Sequence, residues 1–169
     1  MNLQLQTQTN LNSIRTVLDQ LSEVEYKKSL RVLENKSISQ HVRHVLEFYQ
    51  ELVLGSKKGE INYDARNRSL RVESDIHFAK EFLNLLTLEM AEILEDKEIK
   101  LQVSSPIPNS MIDLQTSLFR EISYCNEHTV HHLAILKIGI LNEFSHIKLE
   151  EGFGVANATL HYERDLAKT

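Results

Sequence analysis

Residues 127–133 read Glu-His-Thr-Val-His-His-Leu, inside a segment with the apolar spacing of a long helix. His128 and His132 stand four positions apart, so on a helix both side chains leave one face, with Cβ atoms about 5–6 Å apart. Two imidazoles at that reach can grip one metal ion. Upstream, Ser-Ile-Ser-Gln-His-Val-Arg-His supplies His41 and His44 on a second predicted helix. Three histidines on two facing helices would hold an ion from one side and leave positions open on the other. Spacing leaves His41 and His44 as competitors for the third ligand position, because residues three apart share a broad helix face. His131 lies about 100° round the helix from His132 and reads as a supporting or exposed group.

The chemistry of such a site follows from its donors. Imidazole suits a divalent ion such as zinc, nickel or iron. Three neutral histidines leave the full positive charge on the ion, which acidifies a coordinated water towards a pKa of about 7. Structural zinc sites are usually closed by four ligands and rich in cysteine, so a three-histidine set reads as catalytic or ligand-binding. Spacing alone also admits a solvent-facing histidine pair with no ion. The neighbours weigh against that: Ile122, Cys125, Ile135, Leu136 and Gly139 sit at helical offsets from the pair and put it on or beside an apolar face. A buried imidazole needs partners for its ring nitrogens. Cys125, one turn before His128, reads as a small core hydrophobe in preference to a fourth ligand. Glu121 and Glu127 carry little weight as ligands.

These side chains need rigid elements behind them. The first helix is predicted from about Gln4 to Leu21, with Leu11, Ile14, Val17, Leu18 and Leu21 in one stripe. A polar connection follows. Ser37 with Gln40 three residues later forms a capping box that starts helix two, and Gly55 is its expected stop. Residues 55–74 make a long crossover whose aromatic, carboxylate and guanidinium groups suggest an ordered, functional segment. Helix three is predicted from Ser74 or Asp75 to about Asp96. Alternation over Ile99–Val103 and Met111–Gln115, around a Pro-containing turn, predicts a short β-hairpin. Helix four runs from Thr116 or Ser117 to about Phe144. The expectation is an all-α domain over 1–169: an up-down four-helix bundle with a long crossover between helices two and three and a short β-hairpin before helix four.

Composition narrows the function. A chain of 169 residues with 41% hydrophobic and 25% charged residues suits one globular domain, and 5 Gly with 2 Pro favours long helices. The net charge of −5 argues against nucleic acid, which calls for a basic face. The single cysteine and the absence of a signal-like start point to a cytoplasmic protein, and no apolar run predicts a membrane span.

The order of motifs is itself informative: Gln-His-Val-Arg-His-Val-Leu, then Gly-Glu-Ile-Asn-Tyr-Asp-Ala-Arg-Asn-Arg, then Glu-His-Thr-Val-His-His. This resembles the DinB-like (YfiT-like) family of metal-dependent enzymes over about Ile38 to Leu141. The resemblance implies a divalent metal ion held by His44 from helix two with His128 and His132. It implies a small-molecule enzyme of thiol transferase or hydrolase type, in some relatives with a low-molecular-weight thiol as cosubstrate, and often a homodimer. His41, His131 and the crossover residues Tyr63, Asp64, Arg66 and Arg68 become candidates for the mouth of the site, with an arginine to hold a substrate carboxylate. Bracing of the crossover, with Asp64 and Arg66 paired with each other or with helix ends, is an equal reading of the same residues. The rival for the whole chain is a non-catalytic metal-binding or dimerisation module.

Overall fold

A computed structural model describes residues 2–168. The described chain runs α1 (Asn2–Gln20), α2 (Glu23–Lys27), a 3-10 turn (Arg31–Leu33), α3 (Ile38–Lys58), β1 (Glu60–Ile61), α4 (Leu70–Ser74), α5 (Ile76–Ala91), β2 (Glu98–Ser104), β3 (Met111–Ser117), α6 (Leu118–Glu143) and α7 (Asn157–Leu166). Among the described residues, no helix is long and apolar enough to cross a membrane.

The long helices begin where side chains can satisfy their free N–H groups. The Ser37 hydroxyl accepts from the Gln40 N–H while the Gln40 side chain accepts from the Ser37 N–H, which sets the start of α3. Asp75 caps α5 by accepting from the His77 and Phe78 N–H groups at 2.9 and 3.0 Å. Helix α1 packs on α5 and α6, and α3 packs on the same two. Their apolar stripes meet in one core: Leu11, Ile14, Val17 and Leu18 of α1, Val42, Val45, Leu46 and Leu52 of α3, Leu83 and Leu86 of α5, and Ile122, Leu136 and Ile140 of α6 are all buried. Truncating one such leucine to alanine costs roughly 2–5 kcal/mol.

The expected all-α up-down four-helix bundle is corrected here. Among the described residues the fold is mostly helical, but it has seven α-helices and a three-stranded mixed sheet ordered β1-β2-β3. Three segments outside the predicted elements are responsible, one of them the tail, which winds into α7. The polar connection after α1 carries a second capping box, Ser22 with Glu25, and winds into α2, which buries Tyr26. The crossover does not remain a loop. Its first residues continue α3, and Glu60–Ile61 then form β1, parallel to β2 with Glu60 opposite Lys100 and Ile61 opposite Leu101, so their backbone groups find partners in the hairpin. Farther on, Ser69 caps α4. The hairpin itself is present, from Glu98 opposite Ser117 to Ser104 opposite Met111.

Helix α3 also passes the expected stop at Gly55 and ends at Gly59, which has φ +80°. Gly55 serves packing instead. A Cβ there would lie 2.2 Å from Ile61 Cγ1 and 2.8 Å from the Glu60 carbonyl oxygen. Only a residue without a side chain lets β1 double back so closely onto α3.

A buried polar cluster fixes α6 against its neighbours. The Asn126 side-chain oxygen accepts from Thr7 and Tyr49, each at 3.0 Å, and Asn10 donates to the Asn126 carbonyl at 3.1 Å. Asn126 is fully buried, so its polar groups must be paired, and pairing sets the rotation of α6. That rotation aims His128 and His132 at α3.

Candidate metal centre

His41 and His44 leave α3 towards α6, and His128 and His132 leave α6 towards α3. All four rings are half-buried. The nitrogens of His44, His128 and His132 that could serve as ligands lie within 4.8 Å of one another. His44 Nε2 stands 2.9 Å from His128 Nε2. The ring centroid of His132 is 4.6 Å from each of those two rings. His41 sits beside this trio, with Nδ1 3.1 Å from His132 Nδ1 and a buried Nε2 that has no hydrogen-bond partner. His131 is exposed and packs edge-on against His132 at 5.5 Å.

The electrostatics prepare these rings as neutral donors. Burial, followed by the Arg66 guanidinium and His128, draws His44 down to about 4. Burial, followed by the other imidazoles, draws His132 down to about 3. Burial also lowers His41 and His128. A metal ligand must present a lone pair, and at neutral pH these nitrogens need not shed a proton to do so. The donor set therefore fits a divalent ion: three neutral imidazoles from two rigid helices, converging within ligand reach.

The crossover supplies the surroundings. Arg66 Nη2 lies 2.9 Å from His44 Nδ1, and Arg66 Nη1 donates to the Tyr63 carbonyl at 2.8 Å. A guanidinium can only donate, so His44 Nδ1 accepts and the neutral ring carries its proton on Nε2. His44 Nε2–H then donates to His128 Nε2. One arginine thereby fixes the tautomers of two histidines.

Tyr63 is buried, stacks on Phe48 at 4.8 Å between centroids, and donates its hydroxyl to Glu121 Oε2 at 3.1 Å. Phe48 stacks in turn on His128 at 4.4 Å and lies under the Arg66 guanidinium at 5.0 Å. Asp64 points elsewhere, accepting from the Ser104 N–H at 2.8 Å and tying the crossover to the hairpin. Cys125 is buried, donates to the Tyr63 oxygen at 3.4 Å, and is pushed up to about 12, first by burial.

Sequence reasoning passed over Glu47, although it lies three residues after His44 on the same helix face. Its side chain is 0% exposed, and Oε1 accepts from the Ser69 N–H at 2.6 Å. The Arg66 Nε is 3.5 Å from Glu47 Oε2 and the Arg43 Nε is 3.7 Å from Oε1, while Arg43 also pairs with Glu73. Phe48 and Tyr124, which stack on His128, were likewise not singled out from the sequence as part of the site.

No family model matches the chain, and no solved structure matches it. Among curated proteins, FK506-binding protein 5 of Rhizopus delemar is similar, at 30% identity over 111 residues. That likeness covers 60% of this chain, which spans 27% of the fungal protein. The functional reading rests on the histidine cluster and its surroundings.

Proposed function

We propose that this chain is a metal-dependent enzyme acting on small molecules, with His44, His128 and His132 as the ligands of one divalent ion: zinc, nickel or iron. The observation that carries the reading is the convergence of those three imidazoles within 4.8 Å. The order of the histidine motifs supports kinship with the DinB-like metal-dependent enzymes. A bound ion would supply Lewis acidity, lowering the pKa of a water or a low-molecular-weight thiol at its open positions. The protein's own groups do the rest. His44, His128 and His132 orient the ion. Phe48, Tyr63 and Tyr124 wall the His128 side and keep bulk water from it. Arg66, with a side chain 10% exposed, places a fixed positive charge beside the ligand set, which favours a substrate or cosubstrate that carries negative charge.

Thiol transfer and hydrolysis are the two reaction types this arrangement supports. The net charge of −5 favours a small-molecule substrate over nucleic acid. A homodimer belongs to the same proposal: Leu5, Leu88 and Leu94 are 62%, 69% and 65% exposed around a groove between α1 and α5. That groove is also what favours the second reading, a non-catalytic metal-binding or dimerisation module.

The test is the metal content of protein purified without an affinity tag, read beside a screen of thiols against electrophiles. One bound divalent ion per chain and turnover that disappears on chelation are the expected results. Ion binding with no turnover on any pair would favour the module, and full turnover in stripped protein would remove the ion from the chemistry.

A further inference from the structure

Three buried polar atoms beside His44 lack hydrogen bonds: Glu47 Oε2, Arg66 Nε and Arg43 Nε. They belong to one cluster, in which the Arg66 guanidinium bridges α3 residues one turn apart. Its Nη2 meets His44 Nδ1 at 2.9 Å and its Nε approaches Glu47 Oε2 at 3.5 Å. This buried carboxylate oxygen has an ion pair but no hydrogen bond, so its capacity as an acceptor is unused. Arg43 is already committed to Glu73, and the other Glu47 oxygen to the Ser69 N–H. Glu47 is therefore an acceptor held in reserve.

The tautomer of His44 gives that reserve a purpose. An imidazole that ligates through Nε2 carries its proton on Nδ1 and almost always donates it to a carboxylate, a carbonyl or water. In the arrangement described above the reverse holds, because Arg66 donates to Nδ1. A donor at that position weakens the ring as a ligand and adds a positive charge beside a cation's seat. His128 has no such conflict: its Nε2 already accepts, so its proton is on Nδ1.

Resting on the metal reading above, we propose that Glu47 is the positioning carboxylate of the loaded site and that Arg66 masks it until the ion binds. Loading moves the His44 proton from Nε2 to Nδ1, Arg66 leaves Nδ1, and Glu47, three residues along the same helix face, becomes the acceptor. No proton is gained or lost by the protein in this exchange. The Arg66 Nη2 group released from His44 can then pair with an anionic ligand, while Nη1 keeps its hold on the Tyr63 carbonyl. Arg66 and Glu47 thus set metal affinity in opposite directions, although neither touches the ion.

Two measurements on the full chain decide this. In protein labelled with 15N-histidine, the metal-free form is expected to show His44 as the Nε2–H tautomer, and saturation with Zn2+ alone to convert it to Nδ1–H. In competition titrations with Zn2+, E47Q is expected to bind roughly 10–100-fold more weakly than the unsubstituted protein, and R66L more tightly. Should E47Q fail to fold, the tautomer measurement and R66L still decide. An Nδ1–H tautomer in the metal-free protein, or unchanged Zn2+ affinity in a folded E47Q, overturns the assignment of Glu47 and Arg66 while the three-histidine site stands. Unsubstituted protein that takes up no Zn2+ overturns the metal reading itself, and this inference with it.

Discussion

His44 Nε2 and His128 Nε2 stand 2.9 Å apart, although 84 residues of chain separate them. Two protonated imidazoles would not share that distance, so the contact requires at least one ring to be neutral. The surrounding burial enforces the same condition by drawing His44 down to about 4 and His132 to about 3.

A pH dependence follows. The folded pKa values of both rings lie below their ordinary value of 6.5. Between these limits the unfolded chain binds protons that the folded chain does not, so stability rises with pH across the window. Metal-free protein kept in chelator should therefore become less stable as pH falls from about 6.5 towards about 4, with the loss levelling off once the folded rings also protonate. Denaturant midpoints taken at half-unit pH steps read this directly. An H44Q/H132Q variant should show a flatter profile; an identical profile would place the acid sensitivity elsewhere.

Removing a ligand tests the cluster from the other side. His128→Ala and His132→Ala should each lose retention of the ion, since two remaining imidazoles hold it weakly. The helix should persist in both variants, because alanine is the best helix former. Elemental analysis with circular dichroism on the same samples measures both quantities. Stoichiometric metal in either variant would remove that histidine from the ligand set.

Packing at Gly55 offers a prediction about the fold that also bears on the site. Alanine there would place its Cβ 2.2 Å from Ile61 Cγ1 and 2.8 Å from the Glu60 carbonyl oxygen. The backbone contact cannot be relieved by turning a side chain. Overpacking of this kind costs about 1–3 kcal/mol. Gly55→Ala should lower the unfolding free energy accordingly and displace β1, which leads into the segment bearing Tyr63 and Arg66. A variant as stable as the original would show that β1 yields without cost.

The long helices were legible because burial repeats along them: Leu11, Ile14, Val17 and Leu18 share a stripe, and all four are buried. The Ser37–Gln40 capping box was equally plain. Its twin, Ser22–Glu25, stands in the sequence too, but it opens a helix of only five residues, too short to show a period. Strand β1 has two residues, and alternation cannot be read from two positions. These short elements turned an expected bundle into a mixed fold. At the site, His128 and His132 were legible from their four-residue spacing, whereas His44 was preferred to His41 only through the family resemblance. The structure places His44 in the trio within 4.8 Å and puts His41 against His132. Glu47 stayed hidden because a carboxylate beside Val45, Leu46 and Phe48 reads as the solvated edge of a stripe. It is buried because arginines from two elements converge on it, a tertiary fact that periodicity does not carry.

Tyr63 links the crossover to α6 through buried contacts to Glu121 and Cys125. Its hydroxyl donates to Glu121 Oε2, while Glu121 Oε1 accepts from Thr116 at 2.8 Å. Glu121 is 0% exposed, so Tyr63→Phe leaves a buried carboxylate oxygen without its donor. The expected cost is about 1–3 kcal/mol in a urea titration. Metal content should not change, because neither Tyr63 nor Glu121 belongs to the histidine trio. Loss of metal in this variant would give the crossover a direct part in holding the ion.

Cys125 separates a ligand from a core residue. It precedes His128 by three residues and shares its helix face, which suits a fourth ligand on spacing alone. The structure buries it at 1% exposure, sets its sulfur 3.4 Å from the Tyr63 hydroxyl, and raises its pKa to about 12, chiefly by desolvation. A neutral, enclosed thiol is neither a nucleophile nor a ready metal donor, since both roles require the thiolate. Native metal-free protein at pH 8 should therefore resist iodoacetamide, and the same protein in urea should be alkylated at one site per chain. Cys125→Ala should keep its full metal content and lose only the stability of a small buried side chain, about 1 kcal/mol. Rapid alkylation of the native metal-free protein that zinc then blocks would instead place the sulfur at the ion.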